Sequence, residues 1–488
     1  MPEETLTQEL DRDACYRALR TRDARFDGRF YTAVLSTGVY CRPVCPAPLP
    51  RLERCVFYPS AAAAHAAGFR PCLRCRPELA PGVAGWRGTT NTVSRAVSLI
   101  ADGGWGAEDD VESLAERVGV GGRHLRRLFA RHVGATPVAV AQAQRVLFAK
   151  RLLVETSMPM AEVALASGFG SIRRFNDVIG RTFGRPPRAL RRARAEAPPG
   201  GGVTLRLGHT TPYAWAAMLA FLGARAIPGV EQVEAGTYRR AVALGGATGV
   251  VAVRAGRGGD HLVATIRLSR VAALPAAVGR LRRLLDLDAD APAIDGHLSR
   301  DPLLAGLVAA RPGLRVPGAW DELELAVRAI LGQQVSVAAA RTMAGRIAAA
   351  HGTRVPDAVE GAPALAFPGP ERLAGAPLEA VGLTGARAAA VAALARAVAD
   401  DPDLLRPRAD LAATLERLVA LPGIGPWTAQ YVAMRAFREP DAFPASDLGL
   451  ARALSRRGGR PTPAAVLRRA EAWRPWRAYA AMHLWSLA

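Results

Sequence analysis

The spacing of apolar positions changes several times along the chain. From about Asn91 to Arg194 it follows a helical period, and the stretch reads as almost all helix. From about Val203 to Asp290 it shortens to alternation, as in Val203-Thr-Leu-Arg-Leu207 and Leu262-Val-Ala-Thr-Ile-Arg-Leu268. That pattern suits half-buried antiparallel strands with a helix or two. From about Ala291 onward the helical period returns. Pro81 to Thr90 is a Gly-containing linker, and Ala197-Pro-Pro-Gly-Gly-Gly-Val203 reads as a flexible joint. The expectation is a multidomain α+β chain, mostly helical, with units at 1–80, 90–194, 203–290 and 291–488.

The second unit repeats itself. Gly119, Leu125, Gly134 and Pro137 recur as Gly168, Phe175, Gly184 and Pro186, an offset of 49 or 50 residues each time. Each half reads as a short helix, a Gly turn, a basic helix and a stop containing Gly and Pro.

Composition narrows the partners. Lys and Arg number 64 against 43 Asp and Glu, a formal net charge of +21, which points to a polyanion such as DNA or RNA. Lys150 is the only lysine, so a GC-rich coding bias toward Arg accounts for part of this charge. No uninterrupted apolar run approaches the roughly 18 residues of a membrane span. Met1 to Leu10 is acidic and polar, unlike a secretory leader. The chain is expected to be cytoplasmic, with no membrane partner and with cysteines that are thiols or metal ligands.

All six cysteines lie between Cys15 and Cys75. Cys41-Arg-Pro-Val-Cys45 and Cys72-Leu-Arg-Cys75 are two close pairs separated by 26 residues. Two such pairs supply four thiolates, which suits one tetrahedral zinc ion. Cys15 and Cys55 stand outside the pairs and read as small buried hydrophobes. Spacing leaves two roles open, a purely structural zinc or a reactive one.

The surrounding residues carry a resemblance. Phe26-Asp-Gly-Arg-Phe-Tyr31, Thr37-Gly-Val-Tyr-Cys-Arg-Pro-Val-Cys45 and Gly68-Phe-Arg-Pro-Cys-Leu-Arg-Cys75 resemble the N-terminal zinc-binding α+β domain of Ada proteins. The resemblance implies that Cys41 accepts a methyl group from a DNA methylphosphotriester. Four thiolates on Zn²⁺ carry a formal charge of about −2, which repels phosphate, and methylating one leaves about −1. DNA binding should then tighten, irreversibly, since a thioether does not return its methyl. Arg42, Arg70, Arg74 and Arg76 flank the cysteines and could hold the phosphate backbone, although each alone could equally be a solvated charge.

The repeated unit resembles the AraC-type double helix-turn-helix. Its second half is the better match, with Ala161-Glu-Val-Ala-Leu-Ala-Ser-Gly-Phe169, then Gly170-Ser-Ile-Arg-Arg-Phe175 and Phe183-Gly-Arg-Pro-Pro187. The first recognition helix is expected over about Gly122 to Arg131, offering Arg123, His124, Arg126 and Arg127. The second is expected from near Ser171, offering Arg173 and Arg174. Such helices place N-terminal residues against base edges in the major groove, and two of them let a monomer read an asymmetric site. A generic helical bundle is the alternative.

Leu415-Glu-Arg-Leu-Val-Ala-Leu-Pro-Gly-Ile-Gly-Pro-Trp-Thr-Ala-Gln-Tyr431 reads as helix, tight hairpin, helix, with Gly423 and Gly425 letting the backbone approach a phosphate. It resembles the helix-hairpin-helix motif. Nearly everything from Val203 onward is similar to the AlkA, 3-methyladenine DNA glycosylase II, family. That likeness implies a small antiparallel α+β domain of TBP-like form followed by an all-α glycosylase domain. Asp447, 20 residues past Trp427, matches the family's catalytic aspartate, which stabilises an oxocarbenium-like sugar and assists attack by water. It also reads as a helix N-cap before Leu448-Gly-Leu-Ala451. Trp427 stands where bifunctional relatives carry a Schiff-base lysine, so base excision without lysine-dependent strand cleavage follows. No cysteine follows Cys75, which removes both an iron–sulfur cluster and the methylguanine-transferase domain of full Ada proteins.

The matching base pocket is Trp427, Tyr431, Trp485 and Phe221, aromatic faces suited to a cationic alkylated purine flipped from the duplex. Core packing is the plain alternative for each. Ala329-Ile-Leu-Gly-Gln-Gln-Val-Ser-Val337 matches the segment that wedges into the gap, with Gln334 where relatives carry leucine, and Leu448 replaces an aromatic neighbour of the aspartate. The resemblance also implies a monovalent cation at the hairpin, double-stranded DNA and RNA polymerase as partners, and a monomer. The expected function is an alkylation-response regulator joined to a monofunctional glycosylase acting on 3-methyladenine and 7-methylguanine. The competing reading is a regulator whose C-terminal half only grips DNA. A further rival makes the zinc unit a redox sensor or an inert module.

Overall fold

A computed structural model of the chain describes residues 10–80, 90–101, 105, 110–191, 201–356, 361–405, 411–455 and 459–487. The linker expected at 81–90 and the joint at 197–203 lie largely outside the described residues. Two compact units emerge, one formed by residues 1–210, 260–279 and 287–289, the other by 211–259, 280–286 and 290–488. The boundary between them therefore runs through the stretch read above as one domain at 203–290. Among the described residues no helix is long and apolar enough to cross a membrane.

The first unit opens with helix Arg12–Thr21, capped by the Asp11 carboxylate, which accepts from the amides of Asp13 and Ala14. Strands β1 (Tyr31–Val34), β2 (Val39–Cys41), β3 (Cys55–Tyr58) and β4 (Arg70–Pro71) form a sheet in the order β3-β1-β2-β4. The β1 pairings are antiparallel and β2–β4 is parallel, with Tyr40 opposite Pro71. Cys41 thus ends one central strand and Cys72 follows the strand beside it, which brings the two cysteine pairs together.

The repeat folds as its spacing suggests. Helices Val111–Arg117 and Gly122–His132 are joined through Gly119, and helices Met160–Ala166 and Ile172–Phe183 through Gly168. Both glycines are left-handed, with φ +76° and +74°. The stops at Gly134 and Gly184 are left-handed too, with φ +70° and +65°. Helix Pro137–Glu155 connects the halves, capped by Thr136, with a proline in its first turn. Leu114, Leu125, Phe129, Val140 and Val146 are buried in the first half, and Val163, Phe175, Ile179 and Phe183 in the second. Strands β5 (Val203–Gly208) and β9 (His261–Leu268) pair antiparallel in the same unit.

In the second unit β6 (Glu231–Glu234), β7 (Thr237–Leu244) and β8 (Ala247–Ala255) form an antiparallel meander, and the remainder is largely helical. A buried ion cluster ties the meander to helix Glu322–Leu331. Arg240 donates to Glu231 at 3.0 Å and to Glu324 at 3.1 Å, and Arg328 donates to Glu231 at 2.9 Å and to Glu324 at 3.2 Å. Tyr238 adds a 2.7 Å hydrogen bond to Glu231. Burying these charges is tolerable because each carboxylate meets two guanidinium groups.

Candidate functional site

The sulfur atoms of Cys41, Cys45, Cys72 and Cys75 all lie within 4.8 Å of one another and are buried. Main-chain amides of Arg42 and Arg74 donate to Cys75 Sγ and Cys72 Sγ, each at 3.3 Å, bonds that suit thiolate acceptors. The four thiols perturb each other strongly. Hydrogen bonding with Cys41, Cys45 and Cys75 lowers Cys72, whereas hydrogen bonding with Cys45 and Cys72 raises Cys41. Four sulfur donors around one point are the ligand set of a structural or reactive Zn²⁺, and these four residues are the ones that hold it. Cys41 is the most accessible of them at 9% exposure. Cys15 and Cys55 are buried apart from the cluster, and burial pushes the Cys15 thiol up to about 11.

Two of the flanking arginines are committed inside the protein, which revises the expectation that they hold phosphate. Arg42 donates to Asp27 Oδ1 at 2.8 Å and to the Cys75 carbonyl at 3.1 Å. Arg76 is ion-paired with Glu78 and with Glu155. Withdrawing either guanidinium to meet a phosphate would strand a buried carboxylate, and sequence proximity to the metal cannot reveal that partner. Arg74 is exposed and Arg70 half-buried.

On the first recognition helix Arg123, His124, Arg126 and Arg127 are all exposed, while Leu125 and Leu128 face inward. Arg126 meets Glu112 at 3.0 Å, and an Arg127 guanidinium nitrogen lies 3.0 Å from His124 Nδ1. On the second, Arg173 and Arg174 are exposed, and the Ser171 hydroxyl accepts from the Arg174 amide as the N-cap. The basic faces are therefore outward in both halves.

The glycosylase-like site grows from three helix ends. Gly425 is the N-cap of helix Pro426–Arg435, which carries Trp427 and Tyr431. Asp447 caps helix Leu448–Ala453, accepting from the Leu450 amide at 3.0 Å. Trp485 ends helix Arg477–Trp485. Trp427 stacks on Tyr431 with centroids 5.2 Å apart and planes at 14°, and Trp485 tilts against Tyr431 at 6.2 Å. Both indoles reach the carboxylate: Trp427 Nε1 donates to Asp447 Oδ2 at 2.9 Å and Trp485 Nε1 to Oδ1 at 2.8 Å.

Phe221 joins this group through Arg435, which the sequence reading missed. The Arg435 guanidinium carbon lies 4.8 Å from the Phe221 centroid and 5.4 Å from that of Tyr431, and Arg225 lies 3.8 Å from Phe221. Arg435 also donates to Tyr431 Oη at 2.7 Å. Burial raises the Tyr431 phenol, but the positive charges of Arg435 and Arg225 outweigh it and hold the group below its ordinary value. Phe221 and Tyr431 already face guanidinium groups. Arg435 sits four residues after Tyr431, a helical spacing that could have signalled the pair.

The segment Ala329 to Val337 lies beside the hairpin. Gln334 is exposed and left-handed at φ +56°, a strained position for a residue with a side chain. Its neighbour Gln333 donates to the Gly423 carbonyl at 2.8 Å and to Thr428 Oγ1 at 2.9 Å, and Arg387 donates to the Gln333 carbonyl at 2.7 Å. Gln333 and Arg387 were not singled out from sequence.

A cysteine metal centre, two outward basic helices and a carboxylate set in an aromatic cleft define a DNA-binding regulator joined to a base-excision glycosylase. Family comparisons agree along the chain. Residues 14–78 match the metal binding domain of Ada, 114–193 a helix-turn-helix domain, 204–321 the AlkA N-terminal domain, and 327–478 the HhH-GPD superfamily of base excision DNA repair proteins. The chain is 44% identical over 482 residues to a probable bifunctional transcriptional activator/DNA repair enzyme AlkA of Mycobacterium tuberculosis, covering 98% of this chain and 96% of that one. It is 39% identical to DNA-3-methyladenine glycosylase 2 of Escherichia coli over 57% of this chain and 95% of that protein. Among solved structures, a 3-methyladenine DNA-glycosylase from Archaeoglobus fulgidus shares the fold at TM-score 0.52 and 24% identity, over 57% of this chain and 96% of that one. The chain belongs to the family of bifunctional transcriptional activator/DNA repair enzymes that unite an Ada-type regulator with an AlkA-type glycosylase.

Proposed function

We propose that the C-terminal half hydrolyses the N-glycosidic bond of alkylated purines, 3-methyladenine and 7-methylguanine, with Asp447 as the catalytic carboxylate. The observation that carries this reading is Asp447 itself. Both its oxygens accept from the indoles of the Trp427–Tyr431–Trp485 cluster, from its place at the N-cap of helix Leu448–Ala453. A flipped base stacks on the indole faces. The carboxylate charge lies against the sugar as positive charge develops at C1′, and water completes the displacement to give free base and an abasic site. Gly423 and Gly425 grip the backbone, a monovalent cation at the hairpin would add positive charge against the phosphate, and Gln334 fills the gap left by the base. The chain's sole lysine, Lys150, is buried against Glu78, so strand cleavage through a Schiff base has no nucleophile.

At the other end Cys41 is the methyl acceptor. Its sulfur attacks the methyl carbon of a phosphotriester, an S–C bond forms, the C–O bond breaks, and the phosphodiester leaves as an anion. Zn²⁺ held by Cys41, Cys45, Cys72 and Cys75 would keep the thiols deprotonated and offset their charge. Loss of one thiolate charge on methylation would take the site from a formal charge of about −2 to about −1 and lower its repulsion of DNA. Arg123, His124, Arg126, Ser171, Arg173 and Arg174 then meet the promoter operator, Arg70 and Arg74 the nearby phosphates, and RNA polymerase is the downstream partner. The protein works as a cytoplasmic monomer on double-stranded DNA.

Two measurements test the halves separately. Asp447→Asn should abolish release of 3-methyladenine and 7-methylguanine from alkylated duplex. A wild-type protein that releases neither base would instead support a C-terminal half that only grips DNA. Incubation with methylphosphotriester DNA should add about 14 Da (one methylene) to the peptide carrying Cys41, whereas oxidation would add oxygen. Modification of another cysteine, or of none, defeats the switch.

A further inference from the structure

We propose that Trp427 and Trp485 are positioning residues for Asp447: their ring faces wall the base cleft while their indole N–H groups hold both carboxylate oxygens. Gly449 supplies the room for this arrangement. The proposal rests on the reading of Asp447 as the catalytic group and adds what aims it.

An indole N–H can only donate, so each bond needs an oxygen lone pair as its acceptor. Oδ2 takes Trp427 Nε1 at 2.9 Å, and Oδ1 takes Trp485 Nε1 at 2.8 Å together with the Leu450 amide at 3.0 Å. Three donors from three separate elements fix the plane of the carboxylate as well as its place. An N-cap needs only one of them, the Leu450 amide. The two indole bonds are additional, and they come from the rings that meet Tyr431. Three of the carboxylate's roughly four lone-pair sites are thereby taken, which leaves one on Oδ2 to face the sugar and the attacking water.

Gly449 explains why the approach is feasible. A Cβ built there would lie 3.0 Å from Asp447 Oδ1 and 3.1 Å from Trp485 Cδ1. The position has an ordinary backbone conformation, since Gly449 is absent from the left-handed glycines among the described residues. A side chain here would therefore press on the carboxylate and the indole and shift them by a few tenths of an ångström. Base recognition and catalysis thereby share the same two rings.

The test uses the full-length protein and single-turnover release of 7-methylguanine from alkylated duplex, with affinity for an abasic-site duplex measured alongside. Trp485→Phe and Trp427→Phe keep an aromatic face and remove the N–H. Each is expected to lower the maximal rate about tenfold, the scale of one hydrogen bond to a charged group. Half-saturation should change by less than about threefold, because stacking area is largely kept. Gly449→Ala should reproduce the rate loss with both indoles intact. Replacing Trp485 by 3-benzothienylalanine keeps the bicyclic shape without the N–H, and should behave as Trp485→Phe does even where the smaller ring costs stability. Full rates in the Phe and benzothienyl variants, or a rise in half-saturation with the rate unchanged, would overturn the clamp while Asp447→Asn still abolished release. Full release by Asp447→Asn would overturn the catalytic reading itself, and the clamp with it.

Discussion

Lys150 donates to the main-chain carbonyl of Cys72 at 2.7 Å, so the chain's one lysine, on the helix joining the two helix-turn-helix halves, is bonded to a metal-ligand residue. The same ammonium pairs with Glu78 at 2.6 Å, and both side chains are buried. Glu78 also meets Arg76, which pairs with Glu155 at the end of the helix, and Glu155 accepts from the Arg206 amide of β5 at 3.0 Å. One run of alternating charges thus joins the zinc loop, the connecting helix and the first strand that follows.

Lys150→Met should be costly for that reason. It leaves Glu78 buried with one of its partners gone, and breaking a buried pair typically costs about 3–5 kcal/mol. A lower denaturation midpoint is expected. Adding Glu78→Gln should recover part of the loss, because the stranded charge is then removed. Zinc should also leave the single variant faster in the presence of a chelator, since the loop bearing Cys72 loses its tether. Equal chelation rates in variant and wild type would show that the tether does not reach the metal.

The charge cluster at Glu231 makes a pH prediction. Burial raises this carboxyl, but Arg328, Arg240 and the Tyr238 hydroxyl outweigh burial and lower it from 4.5 to about 2. A folded-state value below the unfolded one means the stabilisation is complete above about pH 4.5 and is lost as the pH falls toward 2. The difference corresponds to roughly 3 kcal/mol. Urea midpoints measured from pH 6 down to pH 2 should fall more steeply for the wild type than for a Glu231→Gln variant, which starts lower and changes less.

Features set by short spacings were legible in the chain. Two cysteine pairs, the doubled Gly turns and the hairpin each depend on residues a few positions apart. The Asp447–Trp427 relation was carried by family likeness. What stayed hidden depends on tertiary pairing. Lys150 meets Glu78 across 72 positions, Arg240 meets Glu324 across 84, and Trp485 meets Asp447 across 38. No periodicity encodes such pairs. Arg42 is the instructive case: its place beside a metal ligand suggested DNA, yet Asp27 fifteen positions upstream claims it. Phe221 was found by likeness; Arg225, four positions on along the same helix, was marked by local spacing, whereas nothing local marks Arg435 as a neighbour of that ring.

The two hairpin glycines should respond differently to alanine. Gly423 has φ +78°, and a Cβ there would lie 2.4 Å from the Ala390 Cβ. Strain and overlap both act, so Gly423→Ala should cost about 1–3 kcal/mol and weaken binding to undamaged duplex. Gly425 has φ −88° and open space where its Cβ would be, so Gly425→Ala should leave stability within about 0.5 kcal/mol of the wild type. Thermal melts and a duplex-binding isotherm check both. Equal losses at the two positions would mean that the backbone conformation of Gly423 is not what the hairpin requires.

The outward basic helices make a prediction in salt. Arg173 and Arg174 are exposed beside the N-cap Ser171, where a recognition helix meets DNA. Each phosphate contact contributes about 0.9 to the slope of log K against log salt. Arg173→Ala and Arg174→Ala should therefore divide into two kinds. A phosphate contact lowers the slope by about one and weakens every duplex alike. A base contact leaves the slope nearly unchanged and costs about 1–3 kcal/mol on the operator alone. Isotherms from 50 to 300 mM salt on operator and random duplex separate the two. Were both variants to keep wild-type slope and affinity on both duplexes, the second helix would not be a DNA-reading element, and the first, with Arg123 and Arg127, would have to carry recognition alone.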